Sequence, residues 1–275
     1  RRSSDLSKRI KAFLRKFQPK SHWHVDPKKA YDTFFCLDRH LKLAPNNFLK
    51  LLPEPSKVSK STYRETWLAI RSRKLELHKH YLQQLPFSDL KVFSEIFKRI
   101  PDDIQLQLAN SATIRYAQLF EQKPSVTVYC NRGTSGIDGS TSTAVGAAVA
   151  SEKQTVLVTG DLSFFYDSNA LWNAYIPSSF RIIIINNNGG GIFRILPDAK
   201  ESKDFKTYFE TSHTLSAKHL CAMYGLDYKR VTDEGSLEET LAGFFEISDT
   251  PSVLEILTPS DLNDRILLDY FNSIA

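Results

Sequence analysis

Residues 182–196 read IIIINNNGGGIFRIL. Side chains alternate between the two faces of a strand, so four successive isoleucines predict a strand covered on both sides, as in a parallel sheet sandwiched by helices. The asparagines and glycines that follow predict a sharp turn. Three consecutive glycines lose much backbone entropy on folding, and a chain keeps them where the backbone bends oddly or comes close to a ligand. The stretch reads as a core strand that ends in a binding loop.

The pattern continues outward in both directions. A helix is expected from an N-cap at Ser88 to Pro101, and a second from about Ser111 to Glu121, before the strand VTVYC (Val126–Cys130). Then come a helix after Asp138, the strand TVLVT (Thr155–Thr159), a helix after Asp167 and the isoleucine strand. A helix over about Thr214–Tyr224, a strand YKRV, a helix from Leu237 and a strand SVLEIL complete the series. Helices alternating with β-branched strands predict an α/β fold with a doubly wound, mostly parallel sheet. Ligands of such sheets bind beyond the carboxyl ends of the strands.

The residues before this series differ. A basic amphipathic helix, a strand-like HWHVDP (His22–Pro27) and a Pro-, Ser- and Lys-rich stretch, LLPEPSKVSKS (Leu51–Ser61), precede a long charged helix over roughly Ser61–Gln84. Residues 1–60 therefore read as the end of another domain plus a linker, and 61–275 as the α/β domain.

Composition narrows the function classes. The 275 residues are 41% hydrophobic and 24% charged, which suits a globular protein with a full core. No apolar run approaches the roughly 20 residues needed to span a bilayer, so no membrane role is expected. The N-terminal RRSSDLSKRIKAFLRK lacks the apolar centre of a secretory signal, and Cys36, Cys130 and Cys221 are far apart with no CxxC, so a cytoplasmic setting is expected. The net charge of +5 is concentrated near the N-terminus, but Ile10, Phe13, Leu14 and Phe17 recur at helical spacing and leave the basic residues on a solvated face. No nucleic-acid partner is expected. The rival of a nucleic-acid-binding module would show an affinity that falls steeply with salt.

Three loops after strands stand out: NRGTSGIDGS, GDLSFFYD and NNNGGGIF. The first leads into the small-residue helix TSTAVGAAVA, whose free N-terminal amides would favour an anion. Neither GxGxxG nor GxxxxGK[ST] occurs, so a nucleoside triphosphate is unsupported. In the other two loops, Asp161 beside Gly160 offers a carboxylate, while Asn187 and the Gly189 or Gly190 carbonyls offer neutral oxygens. Such hard oxygen donors suit Mg²⁺, which completes its octahedron with water and phosphate oxygens. His213 and His219 read as satisfied or surface histidines away from these loops, and His22 with His24 lacks a third metal ligand.

Taken in order, VTGDLSFFYDSNALW followed by NNNGGGIF resembles the GDG…NN signature with which thiamine-diphosphate enzymes hold Mg²⁺ and diphosphate, with Leu162 in place of the second glycine. GDLS, NRGTSGIDG, ANSATIR (Ala109–Arg115) and FETSHTLSAKHLCAMYGLDY resemble one branch, the 2-succinyl-5-enolpyruvyl-6-hydroxy-3-cyclohexene-1-carboxylate synthases of menaquinone biosynthesis (MenD). The match runs from about Ser88 to the C-terminus, the family's C-terminal half. Residues 61–275 then correspond to the diphosphate-binding domain and 1–60 to the end of the middle domain.

The resemblance implies roles by position. Asp161, Asn187 and the Gly189 carbonyl match the Mg²⁺ (or Mn²⁺) ligands, with Gly160, Leu162 and Ser163 near the diphosphate. Ile137 matches the apolar wedge that bends thiamine diphosphate, and the Ser135 carbonyl the acceptor for its aminopyrimidine. Ser111, Arg115, Arg132, Ile192 and Phe193 match positions that contact or orient substrate, while Arg194 stands where a small residue is expected. The implied reaction decarboxylates 2-oxoglutarate and adds the resulting succinyl-semialdehyde carbanion equivalent to isochorismate, in an enzyme that is a homo-oligomer, dimer or tetramer. The activating glutamate belongs to a separate pyrimidine-binding domain, so these residues alone are expected to be inactive. Another thiamine-diphosphate-dependent 2-oxo acid decarboxylase or synthase is the alternative within the class.

Overall fold

The computed structural model describes residues 8–54, 61–195 and 203–275. Arg1 and Arg2 of the basic run, residues 55–60 of the expected linker and Leu196 lie outside the described residues. The chain divides into two compact units, Arg1–Arg64 and Glu65–Ala275.

The first unit contains α1 (Lys8–Lys16), a parallel pair formed by β1 (Trp23–Val25) and β2 (Arg39–Leu41), and α2 (Pro45–Lys50). None of its described residues is buried. The spacing of Ile10, Phe13 and Phe17 does wind into a helical segment, yet all three side chains are more than half exposed. Periodicity decides which face of a helix is apolar, whereas covering that face takes a packing partner that this unit does not supply. His24 meets His40 across the strand pair, with ring centroids 6.1 Å apart. Among the described residues no group of three or more His, Cys, Asp or Glu could hold a metal.

A long helix, α3 (Tyr63–Gln83), begins at the division. The second unit continues with α4 (Asp89–Arg99), β3 (Gln105–Leu108), α5 (Ala112–Ala117), β4 (Thr127–Cys130), α6 (Ser140–Val149), β5 (Thr155–Gly160), α7 (Asp161–Tyr166) and β6 (Arg181–Asn186). It ends with α8 (Lys218–Tyr224), β7 (Asp227–Val231), α9 (Glu234–Phe244), β8 (Ser252–Leu257) and α10 (Asn263–Ser273). The six strands are all parallel, in the order β4-β3-β5-β6-β8-β7. No described helix is long and apolar enough to cross a membrane.

The four isoleucines divide between two cores. Ile183 and Ile185 join Leu106, Val158 and Ile256 against Phe93 of α4, Leu241 of α9 and Leu267 of α10. Ile182 and Ile184 join Leu157 and Val253 against Ala144 and Ala148 of α6, Phe164 of α7 and Cys221 of α8. Both faces of β6 are thus dry, which is why the run is apolar without alternation. Shortening Ile183, which is 0% exposed, to valine is expected to lower unfolding free energy by about 0.5–1.5 kcal/mol in a denaturant titration.

Several elements differ from the sequence reading. QLQL forms β3, an interior strand absent from the expected series, because Gln105 and Gln107 alternate with Leu106 and Leu108 and suggest an exposed segment, although Gln107 is only 6% exposed. GDLSFFYD is no loop: α7 starts at Asp161, directly from the end of β5. The helix expected after Asp167 is a single 3-10 turn, Ser168–Leu171. A short π-helical segment over Phe205–Glu210 and α10 have no counterpart in the sequence expectation.

Candidate functional site

The chain visits β3, moves outward to the edge strand β4, and returns past β3 to β5. That reversal opens a crevice at the carboxyl ends of β3, β5 and β6. A cleft of about 350 Å³ lies there, lined by Ser111, Ser135, Ile137, Gly160, Asp161, Leu162, Ser163, Asn187, Gly189, Ile192 and Phe193. These are the expected residues apart from Arg115 and Arg132. Asp89 and Phe93 of α4 and Tyr116 of α5 complete the wall.

Asp161 is the first residue of α7 and is 3% exposed. Its Oδ1 accepts from the Leu162 amide at 2.6 Å, and its Oδ2 from the Gly189 amide at 2.9 Å. The glycine turn is thereby fastened to the carboxylate. His213 Nε2 lies 3.3 Å from the same Oδ2. His213 Nδ1 accepts from the Leu215 amide at 3.1 Å, which turns Nε2, buried and without a hydrogen-bond partner among the described residues, toward Asp161. The sequence reading that kept His213 away from the metal loops is corrected here. The two lie 52 positions apart in sequence, and nothing local to either signals the meeting. His219, by contrast, is exposed on α8.

The three asparagines do three different things. Asn186 anchors the turn: its Nδ2 donates to Glu255 Oε1 at 2.8 Å, and its Oδ1 accepts from the Asn188 amide at 3.1 Å. Glu255, 0% exposed, is also satisfied by the Ala217 amide, Ser216 Oγ and Tyr228 Oη. Asn188 takes the left-handed backbone, φ 63°, that asparagine tolerates better than most residues. Asn187 donates its Nδ2 to Asp89 Oδ2 at 2.8 Å, while its Oδ1 is buried without a hydrogen-bond partner among the described residues. A buried amide oxygen without a partner is costly unless something outside the chain engages it.

Asp89 has no place in the sequence reading; it is the first residue of α4, where the helix dipole favours an acid anyway. Burial pushes its carboxyl up to about 6, against the pull of hydrogen bonds from Thr258 and Asn187. Its Oδ1 accepts from Thr258 Oγ1 at 2.5 Å.

Arg194 finds its explanation in the same turn. It pairs with Glu210, the two side chains being 13% and 6% exposed, and does not line the cleft. The Glu210 carbonyl accepts from the Gly190 amide at 2.6 Å. The glycines are therefore held against the π-helical segment, and the arginine locks that segment to the residues after them.

Ser111 and Ser135 both take positive φ, 73° and 62°. Such strain in non-glycine residues persists where the surroundings over-determine it, commonly at binding sites. Arg115 donates to the Ser111 carbonyl at 2.7 Å and Arg132 to Asn110 Oδ1 at 2.5 Å, and both arginines are exposed. They stand at the cleft's rim. Partial burial of the guanidinium and then the nearby Arg132 charge push Arg115 below its usual value. Asn110 also donates to the Gly136 carbonyl, and Ser163 Oγ to the Ile137 carbonyl at 2.5 Å, so the SGID turn is pinned from two sides.

The anion expected at the head of TSTAVGAAVA is replaced by the protein's own carboxylate. Asp167 accepts from the Ser142 amide at 2.7 Å and from Ser142 Oγ at 2.6 Å. The cap lies beyond the end of α7, out of reach of a local sequence reading.

A carboxylate, an amide oxygen without a partner and a glycine backbone together fit a small hard divalent cation, whose octahedron leaves positions for water and phosphate oxygens. A sequence profile of the family described as thiamine pyrophosphate enzyme, C-terminal TPP binding domain, matches residues 110–256. The chain is 53% identical over 267 residues to a 2-succinyl-5-enolpyruvyl-6-hydroxy-3-cyclohexene-1-carboxylate synthase of Christiangramia forsetii, covering 97% of this chain and 46% of that protein. It is 53% identical over 271 residues to the like-named protein of Flavobacterium johnsoniae, covering 98% of this chain and 49% of that protein. A solved structure, the Rhodococcus jostii RHA1 thiamine diphosphate-dependent 4-hydroxybenzoylformate decarboxylase, is similar with a TM-score of 0.49 and 21% identity, over 80% of this chain and 36% of that one. The chain spans about half the length of the curated relatives it matches.

Proposed function

Because the chain belongs to the thiamine pyrophosphate enzymes through their C-terminal TPP binding domain, we propose that it is the diphosphate-holding half of a 2-succinyl-5-enolpyruvyl-6-hydroxy-3-cyclohexene-1-carboxylate synthase. The whole enzyme decarboxylates 2-oxoglutarate and joins the four-carbon remainder to isochorismate in menaquinone biosynthesis, using thiamine diphosphate with Mg²⁺ or Mn²⁺. It acts in the cytoplasm as a homo-oligomer, dimer or tetramer, on small molecules and not on nucleic acid or membranes. Residues 1–60 are the end of its middle domain, and the activating glutamate comes from a pyrimidine-binding domain outside these 275 residues. The single observation that supports the cofactor assignment most is the buried Asn187 Oδ1, without a partner in the cleft wall that also carries Asp161.

In this reading Asp161, Asn187 Oδ1 and the Gly189 carbonyl hold the metal, while Gly160, Leu162 and Ser163 flank the diphosphate. Ile137 supports the bend of the cofactor, and the Ser135 carbonyl accepts from its aminopyrimidine. When bound, thiamine diphosphate supplies the carbon nucleophile that takes up the acyl unit of the 2-oxo acid and passes it on. The chain's own part is to orient and to neutralise charge. Arg115 and Arg132 hold substrate carboxylates at the rim, Ser111 fixes the entry of α5 beside them, and Ile192 with Phe193 excludes water from the reacting end.

The assay is product formation by the whole enzyme from 2-oxoglutarate plus isochorismate, with pyruvate as the competing 2-oxo acid. Formation of the joined product supports the assignment; turnover of pyruvate alone moves the chain to another synthase of the class. A guanidinium grips a carboxylate through two parallel bonds and an ammonium does not. Arg115→Lys or Arg132→Lys is therefore expected to raise KM for a dicarboxylate substrate by roughly tenfold or more, the loss of one charge-assisted bond. Thiamine diphosphate affinity should stay unchanged.

A further inference from the structure

Asp89 opens α4, and its carboxylate is 2% exposed. It makes no ion pair in the described residues' salt-bridge pattern and is instead held by neutral groups. Thr258 Oγ1 donates to Oδ1 at 2.5 Å, Asn187 Nδ2 donates to Oδ2 at 2.8 Å, and the Asp89 amide donates to Asn263 Oδ1 at 2.9 Å. Asn263 begins α10, so the carboxylate is held from two parts of the fold and the Asp89 backbone from a third.

The two ends of an asparagine amide are nearly the same size, and rotation by half a turn exchanges them. A metal site tolerates only one of the two orientations, because the oxygen is a donor to the ion and the NH₂ group is not. Both oxygens of Asp89 are occupied as acceptors, Oδ1 by Thr258 Oγ1 and Oδ2 by Asn187 Nδ2, so this carboxylate selects the orientation in which the Asn187 Nδ2 faces it and Oδ1 faces the cleft. That is the orientation present: Nδ2 on Asp89, Oδ1 buried without a partner.

We propose that Asp89 is a positioning residue that fixes the Asn187 side-chain amide with its oxygen toward the metal. The inference rests on the reading of Asn187 Oδ1 as a metal donor. Asp89 touches neither ion nor substrate; it acts through Asn187. Groups of this kind behind a metal ligand typically change affinity by about 10- to 100-fold.

The test is Mn²⁺ binding to the whole enzyme in the presence of thiamine diphosphate, followed by the paramagnetic resonance signal of free Mn²⁺. It is run at a temperature where the melting curve of each metal-free variant shows full folding. Asp89→Leu removes both acceptors while keeping the same branched heavy-atom skeleton, and its Mn²⁺ affinity is expected to fall about 10- to 100-fold. Asp89→Asn rescues, staying within about threefold, because the new amide can accept from Asn187 through its oxygen and donate to Thr258 Oγ1 through its nitrogen. If leucine prevents folding, Asp89→Ala carries the same expectation. Unchanged affinity in the folded Leu or Ala variant overturns the proposal, as does an equal loss in Asp89→Asn. A wild-type enzyme that binds cofactor with no dependence on Mn²⁺ overturns the metal reading itself, and with it the role of Asp89.

Discussion

Replacing Asp161 by asparagine removes the metal-dependent part of thiamine diphosphate binding, and titration calorimetry with and without Mg²⁺ is expected to show the two curves converge. Asp161 is the only carboxylate among the three proposed donors, and it is 3% exposed. Taking one partner from a buried charge pair costs about 3–5 kcal/mol, a fall of roughly 10²–10⁴ in affinity. Asparagine is the informative substitute because its oxygen can still accept from the Gly189 amide, which now binds Asp161 Oδ2 at 2.9 Å. Its NH₂ then faces the Leu162 amide that now donates to Asp161 Oδ1 at 2.6 Å, so the metal-free melting temperature should fall modestly, and the titrations are compared below it, where the loss belongs to the ion. Unchanged Mg²⁺ dependence in Asp161→Asn removes Asp161 from the metal site.

Gly189→Ala should do the opposite, damaging the fold first and the cofactor site as a consequence. Gly189 has φ +144°, and a Cβ there would sit 2.6 Å from the Glu210 carbonyl oxygen. That oxygen is backbone, already engaged by the Gly190 amide, so no flexible side-chain end can give way. Backbone strain of about 1–3 kcal/mol and overpacking of about 1–3 kcal/mol act together, for an expected loss of roughly 2–6 kcal/mol in denaturant unfolding. The neighbours set a scale. Gly190→Ala meets the Phe209 carbonyl at 3.0 Å and should cost less, while Gly160→Ala meets nothing within 4 Å and should leave stability nearly unchanged. A Gly189→Ala protein as stable as Gly160→Ala would show that the turn is free to move. Loss of cofactor affinity in Gly160→Ala, with stability intact, would report the close approach of the diphosphate itself.

The fold was legible in the sequence wherever a single strand or helix carries its own pattern. IIIINNNGGG declares a strand dry on both faces and a turn that needs glycine, and the loops that wall the cleft are legible with it, because each lies within a few residues of its strand. QLQL was not legible, since a strand whose alternate residues are glutamines looks half-exposed until α6 and β4 are in place beside it. The exposed apolar face of α1 was not legible for the converse reason: spacing names a face but not its cover.

What tertiary structure alone decided is how polar groups far apart in sequence satisfy or deny one another. Asp89 accepts from an amide 98 residues away, His213 comes to face Asp161, Asp167 takes the helix end that seemed open to an anion, and Glu210 accounts for Arg194. A hydrogen bond depends on distances of a few tenths of an ångström between side chains brought together by six strands and the helices around them, and no local pattern encodes that distance. The sequence determined which oxygens the two loops offer; the packing of α4 and α10 on the sheet determined that Asn187 turns its Nδ2 to Asp89 and leaves its Oδ1 without a partner among the described residues.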